Sequence, residues 1–414
     1  MLELFPESAA VEDGELAIGG VRVSALADEF GTPLVVYCEQ TIRSMATAYR
    51  SVDPHALVVY GTKAFPNVAV LRLLADEGLG ADVSTRGELE FALRAGLAGD
   101  RIVFHGNNKS DDELAAAADA GALVVLDALD EVERAAGAGV GQVLVRVTPG
   151  IEAETHQSIQ TAHSESKFGL APEDALAAVR AGVSAGLDVR GLHVHIGSQL
   201  ARVDESLAAI DRVLELARRC RDELGWSLRV FDVGGGAGIR YSRDEEVPDA
   251  REFAAAVSER VRSAWDEPAQ LILEPGRSLV GRAGVSVYRV GVVKRTRSVT
   301  YVAVDGGMSD NPRPQLYAAR YEALLANRAA EPAGGPFRIA GKHCESGDVL
   351  IDRVELPEPR RGDLLAVPAT GAYTLAMASN YNGVPRPAAV LVGDGAARLI
   401  RRRETLDDLL ALEP

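Results

Sequence analysis

The first two-thirds of the chain alternates short apolar runs with amphipathic segments. Eight runs, at 56–61, 79–84, 101–106, 123–127, 143–148, 191–196, 230–234 and 271–274, are dominated by Val, Ile, Leu and Ala. Near-continuous apolar runs of this length suit strands enclosed on both faces. Between them, 68–77, 87–95, 111–120 and 172–181 repeat apolar residues at helical spacing. Ser110-Asp111-Asp112-Glu113 carries the signature of a capped helix start with an acidic first turn. This alternation predicts an α/β fold with a parallel sheet. Eight repeats predict a (β/α)8 barrel of TIM type, whose chemistry sits at the C-terminal strand ends.

After about residue 280 the alternation stops. Runs at 285–293, 299–304, 349–356 and 364–367 predict strands with few long helices between them, hence a second, mainly antiparallel β-domain. A strand is also expected at 16–24, and a loop in the Ala-, Gly- and Pro-rich stretch 326–336. The expected division is a barrel domain at 33–278 and a β-domain made from 1–32 and 279–414.

Composition narrows the function class rather than the fold. A chain of 414 residues can bury cores for two domains. A formal net charge of -16 argues against a general nucleic-acid binder. Cys38, Cys220 and Cys344 form neither a paired framework nor a metal spacing, which fits a reducing, cytoplasmic setting. The first residues lack the basic and apolar regions of a secretory leader, and no apolar run approaches the roughly 18 residues of a membrane span. Neither a membrane nor a nucleic acid is expected as a partner.

Several strand ends carry candidate chemistry. Lys63 follows the first run directly. Most lysines are surface residues, but a partly desolvated amine at a barrel strand end can attack a carbonyl group. Gly234-Gly235-Gly236-Ala237-Gly238 follows the seventh run, and glycines let backbone N–H groups approach an anion. Glu274-Pro275-Gly276-Arg277 follows the eighth. Loops after strands seven and eight are where such barrels hold phosphate, and glycines so late in the series do not fit a dinucleotide fingerprint. His193 and His195 alternate with apolar residues, with no Cys or carboxylate at metal spacing in the run, so no metal site is expected. They read either as structural histidines or as a flat imidazole against a planar cofactor. Cys344 lies in a Gly- and charge-rich loop where a thiol can titrate, although a lone cysteine is more often an inert hydrophobe. Arg313, stiffened by prolines on both sides, suits carboxylate recognition, against the plainer reading of a surface ion pair.

Taken together, Tyr60-Gly61-Thr62-Lys63-Ala64, Ser166-Lys167-Phe168-Gly169, His193 to Gln199, the glycine run, Glu274 to Ser278, Asp305-Gly306-Gly307-Met308, Arg313 to Tyr317, Cys344 to Asp348 and Gly371-Ala372-Tyr373 resemble the fold-type III pyridoxal-phosphate-dependent decarboxylases. That family has an alanine racemase-like two-domain architecture, and the resemblance is closest to its diaminopimelate decarboxylase branch. It implies that Lys63 carries pyridoxal 5'-phosphate covalently and that His195 stacks on its ring. Glu274 would pair with the pyridine nitrogen, as the cofactor's electron-sink role requires. Ser198, Gly235, Gly236, Gly276 and Tyr373 would hold the phosphate, with Arg277 beside them. Arg277, Arg313, Tyr317, Glu345 and Tyr373 would bind the far end of an amino-acid substrate, and Cys344 would protonate Cα. The implied active form is a homodimer with shared sites, turning meso-2,6-diaminopimelate into L-lysine and carbon dioxide.

Three positions depart from the family pattern: Phe65 where Asn is usual, Lys342-His343 where small apolar residues are common, and Ser309 where Asn is frequent. None removes a chemical group from the reaction. The change beside Cys344 leaves room for a specialised acidic amino-acid substrate, and a decarboxylase of ornithine, lysine or arginine is the close alternative. A cofactor-binding regulatory protein without activity is the alternative of a different class, and the retention of Lys63 and Cys344 argues against it.

Overall fold

The computed structural model describes residues 1–150 and 166–414. The chain divides into two compact units: residues 45–238 with 246–278, and residues 1–44 with 239–245 and 279–414.

The first unit is a closed barrel of eight parallel strands, β1 (Leu57–Gly61), β2 (Gly80–Val83), β3 (Ile102–Phe104), β4 (Leu123–Leu126), β5 (Gln142–Arg146), β6 (Asp188–His193), β7 (Val230–Asp232) and β8 (Gln270–Leu273). β8 pairs with β1 through Ile272 opposite Leu57 and Leu273 opposite Val58, so no edge remains. Each expected run is matched by a strand, shifted or trimmed by a few residues at its ends. Several of the intervening helices start at a side-chain cap. Asn67 accepts from the Ala69 and Val70 N–H groups at the head of Val68–Asp76, and Ser110 and Glu113 form a reciprocal capping box on Asp111–Ala120. Leu57, Val59, Val103, Val125, Leu144, Val230 and Ile272 make one buried cluster, the floor of the barrel.

The second unit centres on a nine-stranded sheet in the order Val349–Leu356, Gly335–Ala340, Thr300–Val304, Gly284–Arg295, Leu34–Cys38, Ala388–Gly393, Ala396–Arg401, with Leu364–Val367 branching from Gly284–Arg295 and Leu324–Leu325 pairing with Leu364–Val367. The sheet is mixed rather than uniformly antiparallel: Thr300–Val304 runs parallel to Gly335–Ala340, and Ala388–Gly393 runs parallel to Leu34–Cys38. Leu34–Cys38 is fully buried and hydrogen-bonded into this sheet, so the division falls after residue 44 and not at 32. The strand expected at 16–24 is two strands, Glu15–Ile18 and Val21–Arg22, followed by the helix Val23–Phe30. Gly19 (φ +60°) and Gly20 (φ +77°) adopt left-handed conformations that reverse the chain there. The stretch expected as a loop at 326–336 holds a short 3-10 turn, Ala326–Arg328, and the start of Gly335–Ala340. Among the described residues no helix is long and apolar enough to cross a membrane.

Leu144 is fully buried in the barrel floor, and its truncation leaves a cavity there. Leu144→Ala should destabilise the barrel by about 2–5 kcal/mol, read from denaturant unfolding of the full chain.

Candidate active site

Strand alternation places an ionisable ring directly above the apolar floor. Side chains two apart on a strand share a face. Val103 is followed on its face by His105, Val125 by Asp127, Leu144 by Arg146, Val230 by Asp232 and Ile272 by Glu274. β2 and β6 contribute Asp82 and His193 in the same way, above Gly80 and Gly191. None of these seven ionisable residues is more than 7% exposed. Lys63 stands just beyond the end of β1 with its side chain 50% exposed.

Buried charges of this density require mutual compensation. Lys63 Nζ donates to Asp82 Oδ2 at 3.1 Å. His105 Nε2 lies 2.5 Å from Glu274 Oε1 and 3.8 Å from Asp82 Oδ1, and His193 Nε2 lies 3.3 Å from Glu274 Oε2. Arg146 pairs with Asp127 at 3.4 Å and lies over the Phe168 ring at 4.5 Å. Asp232 Oδ1 accepts from Gly234 N at 2.9 Å. Of these neighbouring carboxyls, Asp232 holds a proton more tightly than Glu274. Burial, reinforced by the Glu274 charge, pushes Asp232 well above the usual carboxylate range. Burial pushes Glu274 upward too, but His105 and His193 outweigh it and hold this carboxyl well below its usual range. Burial pulls His193 down to about 4, so at neutral pH a neutral ring lies beside Glu274.

The loop after β7 passes too close to its neighbours for a side chain. Gly234 (φ +68°) and Gly236 (φ +120°) take left-handed conformations, and a Cβ on Gly235 would lie 2.2 Å from the Glu274 carbonyl oxygen. Gly235 N donates to His195 Nδ1 at 3.3 Å, which leaves the ring proton on Nε2. Burial, then the Lys63 and Arg146 cations, hold His195 well below its usual range, so a flat neutral imidazole stands at the rim. Arg277 Nη2 donates to Ser198 Oγ at 3.0 Å, and Gly276 lies against Gly61.

This half-site fits a planar, anionic pyridine cofactor. It offers an amine, a flat ring, a glycine cradle with an arginine, and a buried carboxylate. Glu274 Oε1, His105 Nε2, Asp232 Oδ2 and both His193 nitrogens are buried without an aligned hydrogen bond among the described residues. The short His105–Glu274 approach is therefore a close contact that leaves the carboxylate able to take another donor. One ligand atom from each of His105, His193, Asp232 and Glu274 lies within 4.8 Å of the others, a grouping invisible in the 193–195 run because its carboxylates come from other strands. The 2.5 Å His105–Glu274 contact is too short for two ligands of one ion, where each metal–ligand distance is about 2.0–2.2 Å.

The second unit presents its own set. Arg313 opens the helix Arg313–Tyr317, is 5% exposed, lies 4.2 Å over the Tyr241 ring and donates to Tyr321 Oη at 2.7 Å. It pairs with no carboxylate among the described residues, so it is not the surface ion pair that was the plainer expectation. Tyr317 is half-buried on the same helix. Cys344 and Glu345 are both exposed. Their loop is organised by Asp348, which accepts from Met308 N at 2.8 Å, His343 N at 2.9 Å and His343 Nδ1 at 2.7 Å. His343 is thus a structural member of the loop, stacked on Tyr381, while Lys342 faces solvent. Phe65, the other departure, is buried beside β1 in the barrel unit. Tyr373 adopts a left-handed backbone (φ +57°) just after Gly371-Ala372. Asp82, His105 and Asp232 were not singled out from sequence. The signal available for them was their position at or next to a strand's C-terminal end.

Comparison with known proteins agrees with this chemistry. The family described as "Pyridoxal-dependent decarboxylase, pyridoxal binding domain" matches residues 39–281. The chain is 46% identical to a diaminopimelate decarboxylase of Actinosynnema pretiosum subsp. auranticum, covering 99% of this chain and 95% of that one. It is 43% identical to the Bacillus subtilis enzyme of that name, covering 97% and 96%. The crystal structure of diaminopimelate decarboxylase from M. jannaschii in co-complex with L-lysine superposes with a TM-score of 0.92 at 33% identity, covering 99% of this chain and 98% of that one. Barrel, rim and family match together define a pyridoxal-phosphate-dependent decarboxylase. Within that class, the chain belongs to the diaminopimelate decarboxylase family.

Asp310, beside Gly307 in the second unit, accepts from Tyr288 Oη and Gly307 N, and burial raises its carboxyl from 3.8 to about 7. A raised carboxyl binds its proton more tightly folded than unfolded, so its contribution to stability is complete below 3.8 and is lost as pH rises through 7. Denaturant midpoints at about pH 5 and about pH 8 should therefore fall further for wild type than for Asp310→Asn. Parallel profiles for the two proteins would contradict the assignment.

Proposed function

We propose that this chain decarboxylates meso-2,6-diaminopimelate to L-lysine and carbon dioxide, as a homodimer with shared sites. The observation that carries the substrate is Arg313: a buried guanidinium without a carboxylate partner among the described residues suits a ligand that brings a second carboxylate. A substrate without that group leaves Arg313 unpaired. Sites built on such hydrogen bonds reject the deficient analogue by on the order of 10⁴–10⁵. Ornithine and arginine are disfavoured on this ground.

The assigned roles follow from position. Lys63 holds the cofactor through its amine, oriented by Asp82. His195 lies against the ring, and Glu274 faces the pyridine nitrogen. Ser198, Gly235, Gly236, Gly276, Arg277 and Tyr373 bind the phosphate. When bound, pyridoxal phosphate supplies an electron sink for the pair left behind as carbon dioxide departs. Arg277, Arg313, Tyr317 and Tyr373 hold the distal carboxylate end, and Glu345 the distal ammonium. The Cys344 thiol gives a proton to Cα. The exposure of Cys344 and Glu345 in their own chain supports their contribution to a second chain's site. The free thiols Cys38, Cys220 and Cys344 suit a reducing cytoplasmic setting.

Carbon dioxide release from meso-diaminopimelate, lysine, ornithine and arginine decides the substrate. Turnover of meso-diaminopimelate to lysine is expected, and turnover of ornithine or arginine in its absence would overturn the proposal. Sharing of sites is read by mixing two inactive variants, Lys63→Ala and Cys344→Ala. Random re-pairing leaves one intact site in half of the dimers, so about a quarter of wild-type activity should return. No recovery after demonstrated subunit exchange would place both residues in one chain's site.

A further inference from the structure

Five residues, Lys63, Asp82, His105, Glu274 and His193, stand in a row that starts at the Lys63 amine. Lys63 Nζ donates to Asp82 Oδ2 at 3.1 Å, and the other oxygen of Asp82 lies 3.8 Å from His105 Nε2. That same nitrogen lies 2.5 Å from Glu274 Oε1, and Glu274 Oε2 lies 3.3 Å from His193 Nε2. The two imidazoles meet edge to face, with centroids 4.8 Å apart. One nitrogen of His105 thus faces two carboxylates, and no step of the proposed reaction uses it. Burying a polar ring there is costly, and packing alone would be served as well by an apolar ring.

We propose that His105 is a positioning residue that links the two ends of the cofactor seat: its Nε2, in close contact with Glu274 and facing Asp82, keeps Glu274 ionised and aimed at the pyridine nitrogen while Asp82 orients Lys63. The proposal rests on the reading that Lys63 and Glu274 grip the cofactor. Without the imidazole, Asp82 and Glu274 face each other as like charges across a buried gap. The least costly relief is for Glu274 to take up a proton. The other groups facing Glu274 offset this only in part: the His193 ring is neutral, burial holds Asp232 toward its protonated form, and Arg146 is paired with Asp127. A protonated Glu274 no longer stabilises a protonated pyridine nitrogen, and the electron sink weakens.

The test uses holoenzyme loaded with pyridoxal phosphate labelled with ¹⁵N in the ring. In wild type the nitrogen resonance should be that of a protonated pyridine. His105→Phe, which keeps the ring volume, and His105→Asn, whose amide falls short of Glu274, should both move it toward the unprotonated position. Both should displace the pH profile of the lysine-bound cofactor's absorbance and lower kcat more than they change KM. His105→Gln, which keeps a donor of similar reach, should recover part of the wild-type shift. A wild-type nitrogen resonance and pH profile in whichever of the Phe or Asn variants folds would overturn the proposal, even if activity fell. Failure of the underlying reading looks different, because wild type itself would then show no lysine-bound cofactor absorbance.

Discussion

The balance of charge in the barrel rim is the constraint on which the site depends. Closing eight parallel strands fixes which side chains point inward, and the sequence places apolar residues first and ionisable residues two positions later. Buried groups that close cannot all keep the charges they carry in water. The solution is a set of unequal pairs. Asp82 takes Lys63, Asp127 takes Arg146, and burial shifts Asp232 toward its protonated form while Glu274 is held toward its anion between two imidazoles. One carboxylate emerges ionised, buried and with room for one more donor.

The glycine loop depends on the same closure. β7 and β8 lie side by side, so the residues leaving β7 cross the carbonyl of Glu274 at a distance that only glycine tolerates. The backbone that seats an anion and the carboxylate that faces a ring nitrogen are therefore set by one strand pairing. In the second unit a comparable part falls to Asp348, whose carboxylate collects three donors from two loops and so fixes the turn that displays Cys344 and Glu345.

Much of this was legible along the chain. The eight apolar runs were all strands, and Lys63, the glycine run and Glu274 were visible because each stands at a run's end or within two residues of it. His105 and Asp232 were hidden in plain strand ends, with no motif around them to set them apart. The metal-like grouping of His105, His193, Asp232 and Glu274 could not be read from the 193–195 spacing, since its members lie on four different strands. The β-unit was read least well. Parallel pairing of Ala388–Gly393 with Leu34–Cys38 joins segments some 350 residues apart, and no local pattern announces it.

The sequence by itself determined the barrel, the order of its strands and the residues at their ends, because period-two alternation and helix caps are local properties of the chain. Tertiary structure alone decided which of those residues share a proton and which remain charged. That outcome depends on distances of a few ångströms between strands far apart in sequence, and on the loss of water around them.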